Sequence, residues 1–170
     1  AGTMGHSIAQ TFAQAGHPVR LHDIGDTLLD RAKRLIAANL QTLLQSGLLD
    51  PTELSPVLDR IRTTTRIDEA VSDADIVIEA VSEDAAVKKD LFRVLDSACP
   101  AGTILASNTS YLDIFRFVET GRPDKVLITH WFAPPHIVPL VEVVCGPQTS
   151  PATADRVRTL LVAVGKKPVV

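Results

Sequence analysis

Two cysteines, Cys99 and Cys145, are all that the 170 residues hold. A secreted domain of this size does not rest on one bridge, so the chain reads as one from a reducing compartment. Cys145 lies in an apolar run and is expected to be a buried small residue. The 17 Lys and Arg are outnumbered by 20 Asp and Glu, and no basic run or aromatic-interleaved patch occurs. Nothing therefore points to nucleic acid as a partner. No apolar stretch is long enough to cross a membrane. No repeat, low-complexity run or linker interrupts the chain, whose length suits one domain, residues 1–170, with a sizeable core. One further absence lies at the start. A dinucleotide-binding turn reads G-x-G-x-x-G after a strand, and here only the last two glycines are present.

What is present begins AGTMGHSIAQTFAQAGHPVRLHD. Gly2 and Gly5 open a helical pattern in which Met4, Ile8 and Phe12 recur at spacing four. Gly16 ends it, and Pro18–Leu21 reads as a strand that runs to Asp23. Gly2, Thr3, Met4 and Gly5 are the candidate phosphate-facing turn. There a Cβ would collide with the pyrophosphate or with the strand behind the helix. The helix N-terminus offers N–H groups and partial positive charge. Asp23 is placed to accept from a ribose 2′-hydroxyl, which favours NAD over NADP. Either the first glycine and its strand lie upstream of Ala1, or the turn is a helix start that merely contains glycine.

A long helix follows, with Leu28, Ala32, Leu35, Ile36, Leu40, Leu43 and Leu44 on one stripe. Pro51 to Ile61 reads as a second helix and Arg62–Thr65 as a strand. Asp75–Val81 is a near-continuous apolar run that suits a strand buried on both faces. A helix with Val87, Leu91, Val94, Leu95 and Ala98 in phase comes next. Further strands are read at 103–108, 126–130 and 140–144, with a brief helix from Tyr111. A last helix starts at Pro151, and Pro168–Val170 begins another strand. Strands alternating with helices predict an α/β fold with a doubly wound, mostly parallel Rossmann sheet.

In such sheets ligands collect beyond the carboxyl ends of the strands. The polar residues there are Glu83 and Lys88, then Ser107, Asn108 and Ser110, then His130. Glu142, in LVEVV, is unexpected because burying an unpaired carboxylate is costly. His130, across the Pro134–Pro135 turn, is its nearest candidate partner. A carboxylate bonded to one imidazole nitrogen fixes the tautomer and raises the basicity of the other, which makes a general base. The alternative is a Glu142 that faces solvent and a His130 that caps its strand. His6 and His17 read as surface residues and His22 as incidental. His136 has no assigned role.

The sequence resembles the NAD-binding domain of L-3-hydroxyacyl-CoA dehydrogenases. The stretches that carry the likeness are the opening segment, VIEAVSEDAAVKKDLFRVLD, ASNTSYLDI, HWFAPPHIVPLVEVV and GKKPVV. The resemblance implies NAD-dependent oxidation of a hydroxyacyl-CoA of the fatty acid β-oxidation type. His130 would be the base, Glu142 its acidic partner, and Ser110 a contact to both substrate and cofactor; Asn108, at the same strand end, is a further candidate substrate contact. Glu83 and Lys88 would contact cofactor, and Asp23 the ribose. The family's helical C-terminal domain, through which it forms a homodimer, would follow Val170. A missing first strand would leave its neighbours with open edges, so these residues alone are expected to be poorly stable. The expected compartment is cytoplasmic, with an organelle left open because the chain begins inside the motif.

There are departures from the family. Its usual asparagine after HFF is Ala133 here. Asn39 and Ser46 stand where a serine and a lysine for CoA are expected, and no lysine lies between Lys33 and Lys88. PPHIVPLVEVV and SPATADRVRTLL also resemble the lambda-crystallin and carnitine dehydrogenase branch, which implies a small free hydroxy acid as the alternative substrate. A non-catalytic NAD-binding module is a further alternative.

Overall fold

Gly16, Gly47 and Gly165 have φ of 91°, 69° and 79°, a region that side chains with a Cβ rarely adopt. Each ends a helix. In each case the next residue's N–H reaches back to a carbonyl five residues earlier: His17 to Phe12, Leu48 to Leu43, and Lys166 to Leu161. That closure satisfies carbonyls a helix end leaves open and turns the chain into the next element. The computed structural model describes residues 1–170, and the chain divides into two compact units.

The first unit comprises Ala1–Ala70 with Pro134–Ile137. It holds helices α1 (Gly5–Gln14), α2 (Asp26–Gln45), α3 (Leu54–Asp59) and α4 (Ile67–Val71, crossing its boundary). Strands β1 (Val19–His22) and β2 (Ile61–Thr64) pair in parallel, with Val19 opposite Ile61. Ala9 and Ala13 of α1, Leu21 of β1, Leu29, Ala32, Ile36 and Leu40 of α2 and Val57 of α3 form one buried cluster. The expected α2 stripe therefore needs one correction. Leu29 is buried and Leu28 is largely exposed, because Leu29 sits over Ala32 and Ile36 while Leu28 lies at the stripe's edge. The predicted helix over Pro51–Ile61 is shorter. It is a 3₁₀ turn at Pro51–Glu53 followed by α3, and Ile61 already belongs to β2.

The second unit comprises Val71–Ala133 and Val138–Val170. Its sheet runs in the order β3 (Ile76–Glu79), β4 (Ile104–Ser107), β5 (Val126–Trp131), β6 (Leu140–Cys145), β7 (Lys167–Val169). All neighbours are parallel except β5 and β6, so the sheet is mostly parallel as expected. Helix α5 (Ala85–Ala98) follows β3, and α6 (Pro151–Ala163) packs on β6 and β7. Asp84 caps α5 by accepting from the N–H groups of Ala86 and Val87, and Ser150 caps α6 through Thr153.

Three expectations fail in this unit. The buried face of α5 is Lys88, Phe92 and Leu95, while Val87 and Val94 are 45% exposed. The stripe is displaced because a lysine occupies it. Cys145 shares the face of Val141 and Val143 but is exposed because it is the last residue of β6. The helix expected from Tyr111 is a 3₁₀ turn at Ile114–Arg116, and Tyr111 is exposed.

Candidate active site

In the first unit, α1 starts with no side-chain cap. The N–H groups of Thr3, Met4 and Gly5 meet no acceptor in the chain; the bonds of this turn begin with His6 N–H to Gly2 O and Ile8 N–H to Met4 O. A Cβ built on Gly2 or Gly5 would meet no atom within 4 Å, and neither residue has positive φ. What the glycines leave is open space over unpaired donors, which is the room and the polarity a pyrophosphate needs. Asp23 lies just past β1. Its Oδ2 is 2.9 Å from the Ala1 nitrogen and its Oδ1 accepts from Ile24 N–H at 2.8 Å. These residues fit a dinucleotide.

His6 is buried rather than on the surface. Its Nδ1 donates to Gly2 O at 2.8 Å, which ties the helix start to the turn. His136 is held by Ser7: its N–H donates to Ser7 Oγ at 3.0 Å, and its Nδ1 lies 2.7 Å from the same oxygen. Asn39 of α2 donates to Gln10 of α1, a fully buried glutamine.

In the second unit, antiparallel pairing sets His130 of β5 directly opposite Glu142 of β6. Opposed residues share a face, and the two side chains meet with His130 Nδ1 2.8 Å from Glu142 Oε2. A carboxylate only accepts, so Nδ1 carries a proton; in the neutral ring Nε2 then presents a lone pair, and Nε2 has no partner in the chain. The Phe132 ring lies 4.6 Å from the imidazole, centre to centre. The premise that led to this pair is corrected, however. Glu142 is not buried; its side chain is 49% exposed, against 20% for His130.

Beyond β3 and β4 the same sheet face carries a buried network that the sequence reading missed. Glu79 is 3% exposed and Lys88 1%. Glu79 Oε1 accepts from Lys88 Nζ and from Val81 N–H, each at 2.7 Å, and Oε2 accepts from Ser107 Oγ at 2.5 Å. Lys88 Nζ lies 3.3 Å from Glu83 Oε2. Glu83 Oε1 accepts from Thr109 Oγ1 and from the N–H groups of Ser110 and Tyr111. Burial works against ionisation of Glu83, but the Thr109, Ser110 and Tyr111 donors, with Lys88, outweigh it and hold its pKa below the usual glutamate value. The signal available was a carboxylate ending an apolar strand nine residues before a lysine in the helical phase of Phe92 and Leu95.

Glu83 thus fixes the loop that bears Ser110, and Ser110 is exposed with a hydroxyl that bonds nothing in the chain. Asn108 is a tie between strands: its N–H donates to Glu79 O at 2.7 Å and its Oδ1 accepts from Trp131 N–H at 2.9 Å. Lys88, expected as a cofactor contact, is enclosed by two carboxylates and has almost no exposed surface.

A Rossmann-type α/β chain with an open glycine turn and an imidazole–carboxylate pair at a strand end has the features of a nicotinamide dehydrogenase's cofactor domain. The comparisons are specific. The model of the family "3-hydroxyacyl-CoA dehydrogenase, NAD binding domain" matches residues 1–170, and the chain belongs to that family. It is 40% identical to 3-hydroxybutyryl-CoA dehydrogenase of Clostridioides difficile over 99% of this chain and 60% of that one. It is 37% identical to L-carnitine dehydrogenase of Streptomyces griseus over 97% of this chain and 48% of that one. The crystal structure of 3-hydroxybutyryl-CoA dehydrogenase from Escherichia coli superposes with a TM-score of 0.95 at 39% identity, covering 99% of this chain and 36% of that one. The chain therefore spans about 60% of the first of these relatives. No helix is long and apolar enough to cross a membrane, and no group of three or more His, Cys, Asp or Glu is placed to hold a metal.

Proposed function

We propose that this chain is the cofactor-binding and proton-transferring part of an NAD-dependent dehydrogenase that oxidises an L-3-hydroxyacyl-CoA to the 3-oxoacyl-CoA. The observation that carries the reading is the 2.8 Å contact between His130 Nδ1 and Glu142 Oε2, which leaves Nε2 as the basic atom. Gly2, Thr3, Met4 and Gly5 would face the pyrophosphate and Asp23 the adenosine ribose. Bound NAD would supply the hydride acceptor. His130 Nε2 takes the hydroxyl proton, Glu142 stabilises the imidazolium that forms, and the Ser110 hydroxyl orients the substrate oxygen. Asn108 and Glu83 act by fixing the strand ends and the Ser110 loop. A cytoplasmic homodimer is part of the proposal, and sedimentation of the full chain tests the dimer.

A second reading rests on a specific observation. Asn39, where a CoA contact is expected, is bonded to Gln10, and no lysine lies between Lys33 and Lys88. A small free hydroxy acid of the L-gulonate or carnitine type fits a site without those CoA contacts. Turnover of acetoacetyl-CoA with NADH, against L-gulonate and carnitine with NAD, separates the two readings. Turnover of none of them, with NAD still bound, would leave a non-catalytic NAD-binding module.

A further inference from the structure

The most deeply buried charges of the second unit belong to Glu79 and Lys88, and neither takes part in the proton transfer. Glu79 meets three donors and no acceptor: Lys88 Nζ, Val81 N–H and Ser107 Oγ. That is the surrounding an ionised carboxylate requires. Lys88 meets Glu79 at 2.7 Å and Glu83 at 3.3 Å and is closed off from solvent. Two carboxylates and one ammonium leave one net negative charge, and it falls to Glu83, whose side chain alone of the three is partly exposed.

Glu83 stands just beyond the carboxyl end of β3, beside the Ser110 loop it fixes. Ligands of such sheets bind outside these strand ends. The nicotinamide ring is positive when oxidised and neutral when reduced. We propose that Glu79 is a positioning residue that cancels the charge of Lys88, so that the negative charge of Glu83 is uncompensated and this edge favours NAD⁺ over NADH. The inference rests on the dehydrogenase reading above and adds to it a bias in cofactor redox state set by a buried carboxylate. Asp84, the cap of α5, is also negative and is unchanged in each variant below.

The test is equilibrium binding of NAD⁺ and of NADH to the full chain, by calorimetry at low salt. Glu79→Gln keeps the shape and brings the cluster to zero net charge. The ratio Kd(NAD⁺)/Kd(NADH) is expected to rise by about threefold to tenfold, the size of one unit charge acting over several ångströms at a protein surface. A packing defect would weaken both forms alike and leave the ratio unchanged, and that result overturns the proposal. Glu79→Gln with Lys88→Met restores one net negative charge and is expected to restore the wild-type ratio. That double variant also serves if Glu79→Gln fails to fold, since it removes both buried charges together; a raised ratio in it overturns the proposal. A wild-type chain that binds neither dinucleotide would overturn the dehydrogenase reading and this inference with it. Binding with an unmoved ratio overturns this inference alone.

Discussion

His130–Glu142 and Lys88–Glu79 are two nitrogen–carboxylate pairs of one unit, with N···O distances of 2.8 and 2.7 Å. Both acids stand on the same sheet face. The first pair is open, its side chains 20% and 49% exposed; the second is closed, at 1% and 0%. Distance alone says nothing of what a pair does. The open pair leaves one ring nitrogen without a partner in the chain, which is the atom the proposed proton transfer uses, and it contributes little to folding, as surface pairs do. The closed pair has every polar atom engaged and is destabilising to break, because the survivor is left charged and buried.

Three measurements break or sharpen that contrast. His130→Ala in the full chain is expected to lower kcat by about 10²–10⁴-fold, or about 3–5 kcal/mol of barrier, with NAD affinity retained. Unchanged turnover would remove the open pair from the chemistry. Lys88→Met should lower folding stability by about 3–5 kcal/mol in urea titrations, because it strands Glu79 and Glu83. A loss below about 1 kcal/mol would mean that the closed pair is no more structural than the open one. Glu142→Gln should change stability by less than about 1 kcal/mol, while kcat falls, though by less than in His130→Ala.

A fourth and smaller effect, apart from the two pairs, concerns pH. Burial opposes ionisation of Asp96, but bonds from Thr120 Oγ1, Gly121 N–H and Arg122 Nε outweigh it and hold its pKa below the usual aspartate value. Its folded pKa is the lower one, so the stability it adds is fully present above the unfolded value, about 3.9. That stability is lost as pH falls below it and through the folded pKa. Asp96→Asn should therefore flatten the fall in stability below about pH 4 in acid titrations; an unchanged slope would show that the carboxylate's charge is not what these donors hold.

Most of the element order, though not α4 or the turn after Tyr111, the mostly parallel sheet and the His130–Glu142 pair are legible because each leaves a periodic or compositional mark. Glu142 was found from a premise that fails, since it is exposed; register rather than burial gives it a partner. Glu79 was passed over although it is the acid that is buried. Its reason for tolerating burial is Lys88, nine residues away on another element, and hydropathy patterns assign a lysine to solvent. The same bias displaced the α5 stripe onto Val87 and Val94. Asn108 was placed at the right strand end, but its bonds to Glu79 O and Trp131 N–H depend on strand order, which no local pattern records.

The opposition of His130 and Glu142 across an antiparallel ladder makes the proposed chemistry sensitive to parity. Side chains alternate along a strand, so one residue inserted within Leu140–Glu142 would carry the carboxylate to the far side of the sheet. Two inserted residues would return it to the right side but one pleat out of step. The eight residues between β5 and β6 carry no such arithmetic for the pair, so length variation compatible with activity should gather there and stop abruptly at the strand borders.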